Sequence, residues 1–285
     1  MNGVRVIESA GRCSLGEGPL WSLRERALYW VDILGHAAYR LRPEDGQVTR
    51  WALPDTIGWL IERGGASGFV AGLGRDVVLL NLEPLEITPI LRPEPQFADH
   101  RLNDGKADAA GRLWFGTMPV DAGRETGSLY RLDPDGALSH WDRGYRVANG
   151  PAFSPDGRYL YHTDSIRGTV FRFTLRADGS VVDRQPFVRF EPGAGLPDGM
   201  TVDAEGGVWI AVWGGSRVSR IAPDGSLDRS IALPASQITS CAFGGPNLDR
   251  LYVTSAAEGV DEPQAGALFE LEPGVVGLPA HRFAG

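Results

Sequence analysis

The sequence has few of the features that would place this chain outside the cell or in a membrane. It has only two cysteines, Cys13 and Cys241, and no stretch approaches the 18 consecutive apolar residues of a membrane-spanning helix. The first residues, MNGVRVIESAGR, lack the apolar run of a secretory signal peptide. A single pair of cysteines in a chain without such a leader predicts two reduced thiols. We therefore expect a cytoplasmic protein.

Positive charge and helical periodicity are also scarce. The formal net charge is −8 and the isoelectric point is about 5.2. This charge argues against nucleic acid or an anionic membrane surface as a partner. The 38 glycines and 20 prolines interrupt the chain so often that long amphipathic helices are not expected.

Several common catalytic motifs are missing as well. There is no G-x-S-x-G nucleophile motif and no glycine-rich phosphate loop leading into a helix. The five histidines show no H-x-x-x-H or other metal-ligand spacing. His162, in LYHTDS, is expected to line a channel or to lie in the core.

What the sequence does contain is a repeated segment. Short strand-like runs that begin with an oxygen-bearing side chain recur at intervals of about 45 residues, the length of one four-stranded propeller blade. Six such units can be distinguished, of which the second, at about 57–85, is the faintest. We predict an all-β, six-bladed β-propeller that forms a single domain over residues 1–285. Pairing between the terminal strands is expected to close the ring. The segments are SLGEGPLW, RLNDGKAD, ANGPAFSPDG, LPDGMTVD and ITSCAFGG.

The inner strands of a propeller begin around one axis, so the first polar residues of these segments should meet in a central channel. Converging carboxylates and amides repel one another unless a cation lies among them. Oxygen ligands without clustered His or Cys favour a hard divalent ion such as Ca²⁺, Mg²⁺ or Mn²⁺. Four other Asp-Gly pairs follow proline, or an acidic residue after proline, between strands and are interpreted as turns only. The polar residues are Glu17, Asn103, Asp104, Asn149, Asp198 and Ser240, and the turn residues are Asp45, Asp135, Asp156 and Asp224.

With these motifs in view, the chain resembles the SMP-30/gluconolactonase/regucalcin-like family nearly from end to end. The resemblance implies one divalent cation in the channel, with its ligands at Glu17, Asn149 and Asp198. It also implies substrate contacts from Arg101 and Asn103. In some members an acidic residue after the GTM motif contacts substrate; here we assign that role to Asp121, with Glu125 as a rival. Ca²⁺ is the first expectation for the metal, and Zn²⁺, Mn²⁺, Fe²⁺ and Mg²⁺ stay open.

The resemblance further implies that the chain hydrolyses a sugar lactone to the aldonic acid. The cation would polarise the lactone carbonyl, and Asp198 is the candidate catalytic residue. Asp198 could act as the general base, or it could orient a water that the metal activates. The alternatives are hydrolysis of a phosphotriester at a similar metal centre and a non-catalytic calcium-binding propeller. A small-molecule partner and a monomer are expected, and the identity of the sugar stays open.

Overall fold

The computed structural model describes residues 3–285 and is built from 24 strands and one short 3₁₀ helix. The strands form six antiparallel four-stranded sheets, which are the six blades predicted from the repeats. Within this part of the chain no helix is long and apolar enough to cross a membrane. Cys13 and Cys241 are free, buried thiols.

Five blades each consist of four consecutive strands. Strand β1 (Val4–Val6) and the 3₁₀ helix (Glu8–Ala10) precede them. Blade I contains β2 (Gly16–Ser22), β3 (Ala27–Asp32), β4 (Ala37–Arg42) and β5 (Gln47–Ala52). Blade II contains β6 (Ile57–Glu62), β7 (Phe69–Leu73), β8 (Asp76–Leu82) and β9 (Leu85–Leu91). Blade III contains β10 (His100–Ala107), β11 (Leu113–Pro119), β12 (Gly127–Leu132) and β13 (Leu138–Tyr145). Blade IV contains β14 (Ala148–Phe153), β15 (Tyr159–Asp164), β16 (Thr169–Leu175) and β17 (Val181–Arg189). Blade V contains β18 (Leu196–Val202), β19 (Val208–Trp213), β20 (Arg217–Ile221) and β21 (Leu227–Ala232).

Blade VI combines the two ends of the described chain. Its strands β22 (Ile238–Gly244), β23 (Arg250–Ser255) and β24 (Phe269–Leu271) are followed by β1 as the outer strand. Val4 pairs with Leu271 and Val6 with Phe269, so the edge of β24 is covered. The carboxyl-terminal segment instead lies on blade II, where Phe283 forms a parallel bridge with Arg63.

The outer strand is the most exposed strand of each blade. All seven residues of β11 and all seven of β22 are buried, whereas β5 and β21 are mostly exposed or half-buried. The apolar side chains of neighbouring blades pack face to face, with Trp30, Trp59, Trp114 and Trp209 among the largest fully buried groups. The apolar-aromatic runs of the sequence therefore form the inter-blade core.

Two blades share a turn with the spacing Asp-x-x-Gly-x-x-Trp. The Asp203 carboxylate accepts hydrogen bonds from the indole nitrogen of Trp209 at 2.7 Å and from two backbone N–H groups of the turn. It also pairs with Arg220 at 2.7 Å. Asp108 makes the same contacts to Trp114 and its own turn. In both turns the glycine has a positive φ, +75° at Gly111 and +86° at Gly206, a conformation that L side chains rarely adopt.

We predict that Asp203→Ala lowers the free energy of unfolding by about 3 kcal/mol. The change removes one of the three carboxylates that pair with the largely buried Arg220 guanidinium, and it leaves the Trp209 indole and two turn N–H groups without their acceptor. Chemical denaturation monitored by tryptophan fluorescence measures the loss. Asp156→Ala is the matched control, because Asp156 also caps a turn but lies exposed. The control should change stability by less than about 1 kcal/mol. Equal losses in the two variants would contradict this account of the turn.

Candidate active site

The six inner strands form a closed ring around the channel. β2, β6, β10, β14, β18 and β22 contact one another in that order, and β22 contacts β2 again. Each inner strand has an irregularity in its pairing close to its start. Because a bulge changes the direction in which side chains point, the same position in each blade can be turned towards the axis. The shifts lie at Glu17/Leu20, Ile57/Trp59, Leu102/Gly105, Asn149/Ala152, Pro197/Met200 and Ile238/Ser240.

These bulges contain or adjoin the polar residues expected from the repeats, with one exception. Blade II has Ile57 and Gly58 at this level, and Ile57 is fully buried in an apolar cluster. A Cβ at Gly58 would lie 2.4 Å from the carbonyl oxygen of Asn103. The neighbouring backbone therefore occupies the space that a side chain would need. Blade II thus contributes no charged or amide side chain here, which explains why its repeat is faint in the sequence.

Three carboxylates are buried in this region. Glu17, Asp104 and Asp198 are all less than 10% exposed. Burial, and next the charge of Asp104, raises the pKa of Glu17 to about 8. Burial, followed by the charges of Glu17 and Asp104, raises the pKa of Asp198 well above its usual range. Burial also raises the pKa of Asp104. The mutual effects on these pKa values show that the three groups share one electrostatic environment.

Two cationic side chains partly offset these charges. Arg101 donates to Asn103 Oδ1 at 2.6 Å and to the carbonyl of Leu102 at 3.1 Å. Burial lowers the pKa of Arg101 to about 10, against the attraction of Glu17, Asp198 and Glu258. Lys106 donates to the carbonyl oxygen of Met200, and its charge lowers the pKa of Glu17 and of Asp104. Two cations against three carboxylates leave an excess of negative charge.

The two amides are held in fixed orientations. Asn103 Nδ2 donates to the Ala148 carbonyl at 2.7 Å and to Asn149 Oδ1 at 2.9 Å. Asn149 Nδ2 in turn donates to Ser165 Oγ at 2.8 Å. Both hydrogens of the Asn103 amide are therefore in use, and its oxygen accepts from Arg101. The carbonyl oxygen of Asn149 keeps one lone pair for a further partner.

The carboxylates differ in how far their oxygens are already bound. Both oxygens of Asp104 accept backbone hydrogen bonds, from Gly105 at 2.7 Å and Gly150 at 2.9 Å. Glu17 accepts from the backbone of its neighbour Gly18 at 2.9 Å. Within residues 3–285, neither Glu17 nor Asp198 has a hydrogen bond to another side chain. Their oxygens and Asn149 Oδ1 are hard donors of the kind that divalent cations such as Ca²⁺ prefer. Among the described residues, no three or more His, Cys, Asp or Glu side chains form a group that could hold a metal ion.

The acidic residues after the GTM motif lie outside this buried cluster. Asp121 and Glu125 are both exposed on the loop between β11 and β12. Asp121 accepts a hydrogen bond from the Gly123 backbone at 2.8 Å, and Glu125 pairs with Arg167 at 2.6 Å. A substrate role for Asp121 therefore remains a prediction that depends on the position of this loop.

Ser240 and Lys106 line a cavity further along the channel. Aromatic side chains form much of its wall, and the segment 278–281 closes one side. Sequence reasoning assigned no role to Lys106. The position of Lys106 could have indicated such a role, because a residue two positions after Asp104 on the same strand lies on the same face of the sheet. The residues around this cavity are Trp21, Trp59, Phe153, Phe243, Leu278 and His281.

His162 is a core residue. It is fully buried, and neither ring nitrogen has a hydrogen-bond partner within residues 3–285. The ring of Tyr145 packs edge-on against it at 4.6 Å between ring centroids. Burial, and next the charge of Arg184, lowers the pKa of His162 to about 3. Its place is the packing between blades III and IV.

Comparison with known proteins gives consistent matches over most of the chain. The family model described as the SMP-30/Gluconolactonase/LRE-like region matches residues 15–257. The chain is 38% identical to 6-deoxy-6-sulfogluconolactonase of Pseudomonas putida over 281 residues, which cover 95% of each protein. It is 37% identical to L-arabinolactonase of Azospirillum brasilense over 292 residues, covering 99% of this chain and 96% of that one. A solved structure of a calcium-binding protein, regucalcin, from Agrobacterium tumefaciens superimposes with a TM-score of 0.94 at 30% identity. That alignment covers 99% of this chain and 97% of the other.

We predict that His162 makes the fold sensitive to acid. A histidine whose folded pKa lies at about 3 is neutral in the folded protein but takes up a proton near pH 6.5 when unfolded. Its stabilising contribution is complete above pH 6.5 and is lost as the pH falls towards 3. Between pH 6.5 and 4.5 the wild-type free energy of unfolding should fall by roughly 2 kcal/mol more than that of His162→Gln.

Urea denaturation at a series of pH values measures this difference. His140→Gln is the control. Because His140 is exposed, this variant should show the same change in the free energy of unfolding with pH as the wild type. Parallel pH dependences for the wild type and His162→Gln would show that His162 does not supply the acid sensitivity.

Proposed function

Because the chain belongs to the SMP-30/gluconolactonase/LRE-like family, we propose that it hydrolyses a sugar lactone to the corresponding aldonic acid. The observation that carries the proposal is the buried pair of carboxylates, Glu17 and Asp198, beside the fixed amides of Asn103 and Asn149 and the guanidinium of Arg101. The names of relatives that match the whole chain, a sulfogluconolactonase and an arabinolactonase, support the same reaction class.

Glu17, Asn149 and Asp198 would hold one divalent cation. Their oxygens suit a hard ion, and the excess negative charge of the cluster favours binding one. The calcium-binding regucalcin of the same fold supports Ca²⁺ as the first candidate, ahead of Zn²⁺, Mn²⁺, Fe²⁺ and Mg²⁺. When bound, the cation would act as a Lewis acid on the lactone carbonyl and stabilise the negative charge that develops on its oxygen.

Arg101 and Asn103 would orient the sugar as a donor–acceptor pair. Arg101 uses one of its terminal nitrogens for Asn103 Oδ1 and the Leu102 carbonyl, which leaves other N–H groups for hydroxyl oxygens of the substrate. Asn103 has no free hydrogen, so it can contact the substrate only by accepting an O–H at Oδ1. Such contacts fix the ester for attack and lower the entropic part of the barrier.

Asp198 would take up a proton from the attacking water and later give it to the leaving oxygen. Water adds to the carbonyl carbon and gives one proton to Asp198; the ring C–O bond then breaks, and the leaving oxygen takes that proton. The raised pKa of Asp198 makes it a stronger base than an ordinary aspartate. A bound cation works against this by stabilising the carboxylate form. Asp198 therefore either acts as the general base or only orients the attacking water. A basic limb of the pH–rate profile that changes with the identity of the metal would indicate that Asp198 only orients the water.

The proposal is tested by removing metal with a chelator and returning one divalent ion at a time. A panel of aldonolactones is supplied, and acid release is followed with a pH indicator. We expect hydrolysis that depends on the added ion, because the cluster itself has too few positive groups to stabilise the oxyanion. Faster turnover of an organophosphate triester would favour phosphotriester hydrolysis. Calcium binding without turnover of either substrate class would identify a non-catalytic binding protein.

We further predict that Glu17→Gln and Asp198→Asn each lower kcat/KM at least about 100-fold, because each removes an anionic ligand and Asp198→Asn also removes the base. Titration calorimetry with the metal alone should show weakened binding, while circular dichroism should retain the β spectrum. Asp156→Asn, an exposed carboxylate on a turn, is the control and should behave as the wild type. Full activity of metal-free Glu17→Gln would refute the ligand assignment.

A further inference from the structure

A buried chain of four side chains lies directly behind Arg101. Glu94 Oε2 lies 2.6 Å from His100 Nδ1, and His100 Nε2 lies 2.8 Å from Thr126 Oγ1. The hydroxyl of Tyr130 donates to the other oxygen of Glu94 at 3.1 Å. Glu94 and His100 are each only 4% exposed. The lactonase mechanism proposed above uses none of these groups.

The chemistry of the groups fixes the direction of the first bond in this chain. An ionised carboxylate only accepts, so Nδ1 of His100 carries the proton that is donated to Glu94. The Thr126 hydroxyl can donate or accept, so it can pair with Nε2 in either form of the imidazole. Every polar atom of the chain has a partner, so the buried network is satisfied and rigid.

The same chain joins two loops at the end of the channel where the inner strands begin. One loop (92–99) precedes β10, and the other (120–126) links β11 to β12 and carries Asp121. The backbone N–H of Val120 donates to the Asp99 carbonyl at 2.9 Å, and Arg124 forms an ion pair with Asp99. On the first loop, the ring of Phe97 stacks on His100 at 4.3 Å. The network thus cross-links two segments that lie outside the repeated sheets.

His100 and Arg101 are the first two residues of β10, and they pair with Pro119 and Met118 of β11. Successive side chains of a strand point to opposite faces. His100 points into the buried network, whereas Arg101 points towards Glu17 and Asp198, whose charges act on it. A shift of the His100 ring therefore moves the backbone that carries the Arg101 guanidinium.

We propose that Glu94, His100 and Thr126 are positioning residues that hold Arg101 and the 120–126 loop for lactone binding. The inference rests on the proposed function in so far as Arg101 binds the substrate. The residues act through Arg101 and not on the cation, because their hydrogen bonds involve none of the metal-binding candidates Glu17, Asn149 and Asp198.

The decisive variant is His100→Phe, which keeps a ring against Phe97 but removes both hydrogen bonds. We expect KM for the lactone to rise about tenfold or more, with kcat changed less than about threefold. The dissociation constant for Ca²⁺ alone, from calorimetry, should stay within about twofold. Thr126→Val should also raise KM for the lactone, but by a smaller factor. Glu94→Gln can still accept a hydrogen bond from His100, so its KM should stay close to that of the wild type. His140→Phe is the control, since exposed His140 touches the outer side of the Tyr130 ring.

A double variant separates positioning from general loss of structure. If His100 acts through Arg101, adding His100→Phe to Arg101→Met should raise KM less than about twofold beyond Arg101→Met alone. If the two substitutions raise KM by independent factors that multiply in the double variant, the proposal is overturned. An unchanged KM in His100→Phe would also overturn it. Arg101→Met by itself should raise KM without weakening Ca²⁺ binding. If His100→Phe does not fold, the same cycle with Thr126→Val decides.

Amide hydrogen exchange provides a readout that does not depend on turnover. His100→Phe should accelerate exchange of residues 120–126 about tenfold while leaving β14 and β18 unchanged. Unchanged exchange in that loop would overturn the positioning role even if lactone hydrolysis is present. An absence of lactone hydrolysis in the wild type, with faster loop exchange in the variant, would overturn the proposed function and retain the mechanical link.

Discussion

A bulge in each inner strand is the feature on which the site and the fold both depend. Each bulge interrupts the ladder and leaves backbone N–H groups near the channel without a strand partner. In blades I and III, acidic side chains at these points accept such hydrogens. Glu17 accepts from Gly18, and Asp104 accepts from Gly105 and from Gly150 of the next blade. The side chains that make the channel acidic thus also complete the hydrogen bonding of the strands that carry them.

This double use has an electrostatic consequence. Three buried carboxylates cannot all be ionised at low cost with only Arg101 and Lys106 to offset them, and the raised pKa values of Glu17 and Asp198 express that strain. Burial raises the pKa of Asp104 as well, but Lys106 and two backbone N–H groups oppose that rise by stabilising its charge. The negative charge that no positive group offsets therefore lies at Glu17 and Asp198, beside the lone pair that Asn149 Oδ1 keeps free. Asn103 connects this region to Arg101 through consecutive hydrogen bonds, so the proposed cation and substrate groups form one network.

The sequence was sufficient for the architecture because its periodic features are local. The repeated order of strands and turns identified the six blades. The four Asp-Gly turns are also confirmed, because each aspartate accepts a hydrogen bond from the backbone N–H two residues later. The faint second repeat has a physical reason in the backbone that approaches Gly58. The support behind Arg101 could not be predicted in this way. Glu94, His100 and Thr126 come from irregular segments, and only the folded chain shows that they meet.

If the chain hydrolyses a sugar lactone as proposed, we expect the segments that do not repeat to decide which sugar it binds. In the channel, both amide hydrogens of Asn103 are already used, and each oxygen of Asp104 already accepts one backbone hydrogen bond, which reduces the number of groups left to distinguish one hydroxyl configuration from another. The loops at 92–99 and 120–126 are free of the sheet register and lie next to the start of β10, which carries Arg101. Their cross-link through His100 makes them one unit rather than two independent flaps. If Arg101 binds the substrate as proposed, selectivity is expected to depend on where this unit holds Arg101, as well as on which residues surround it.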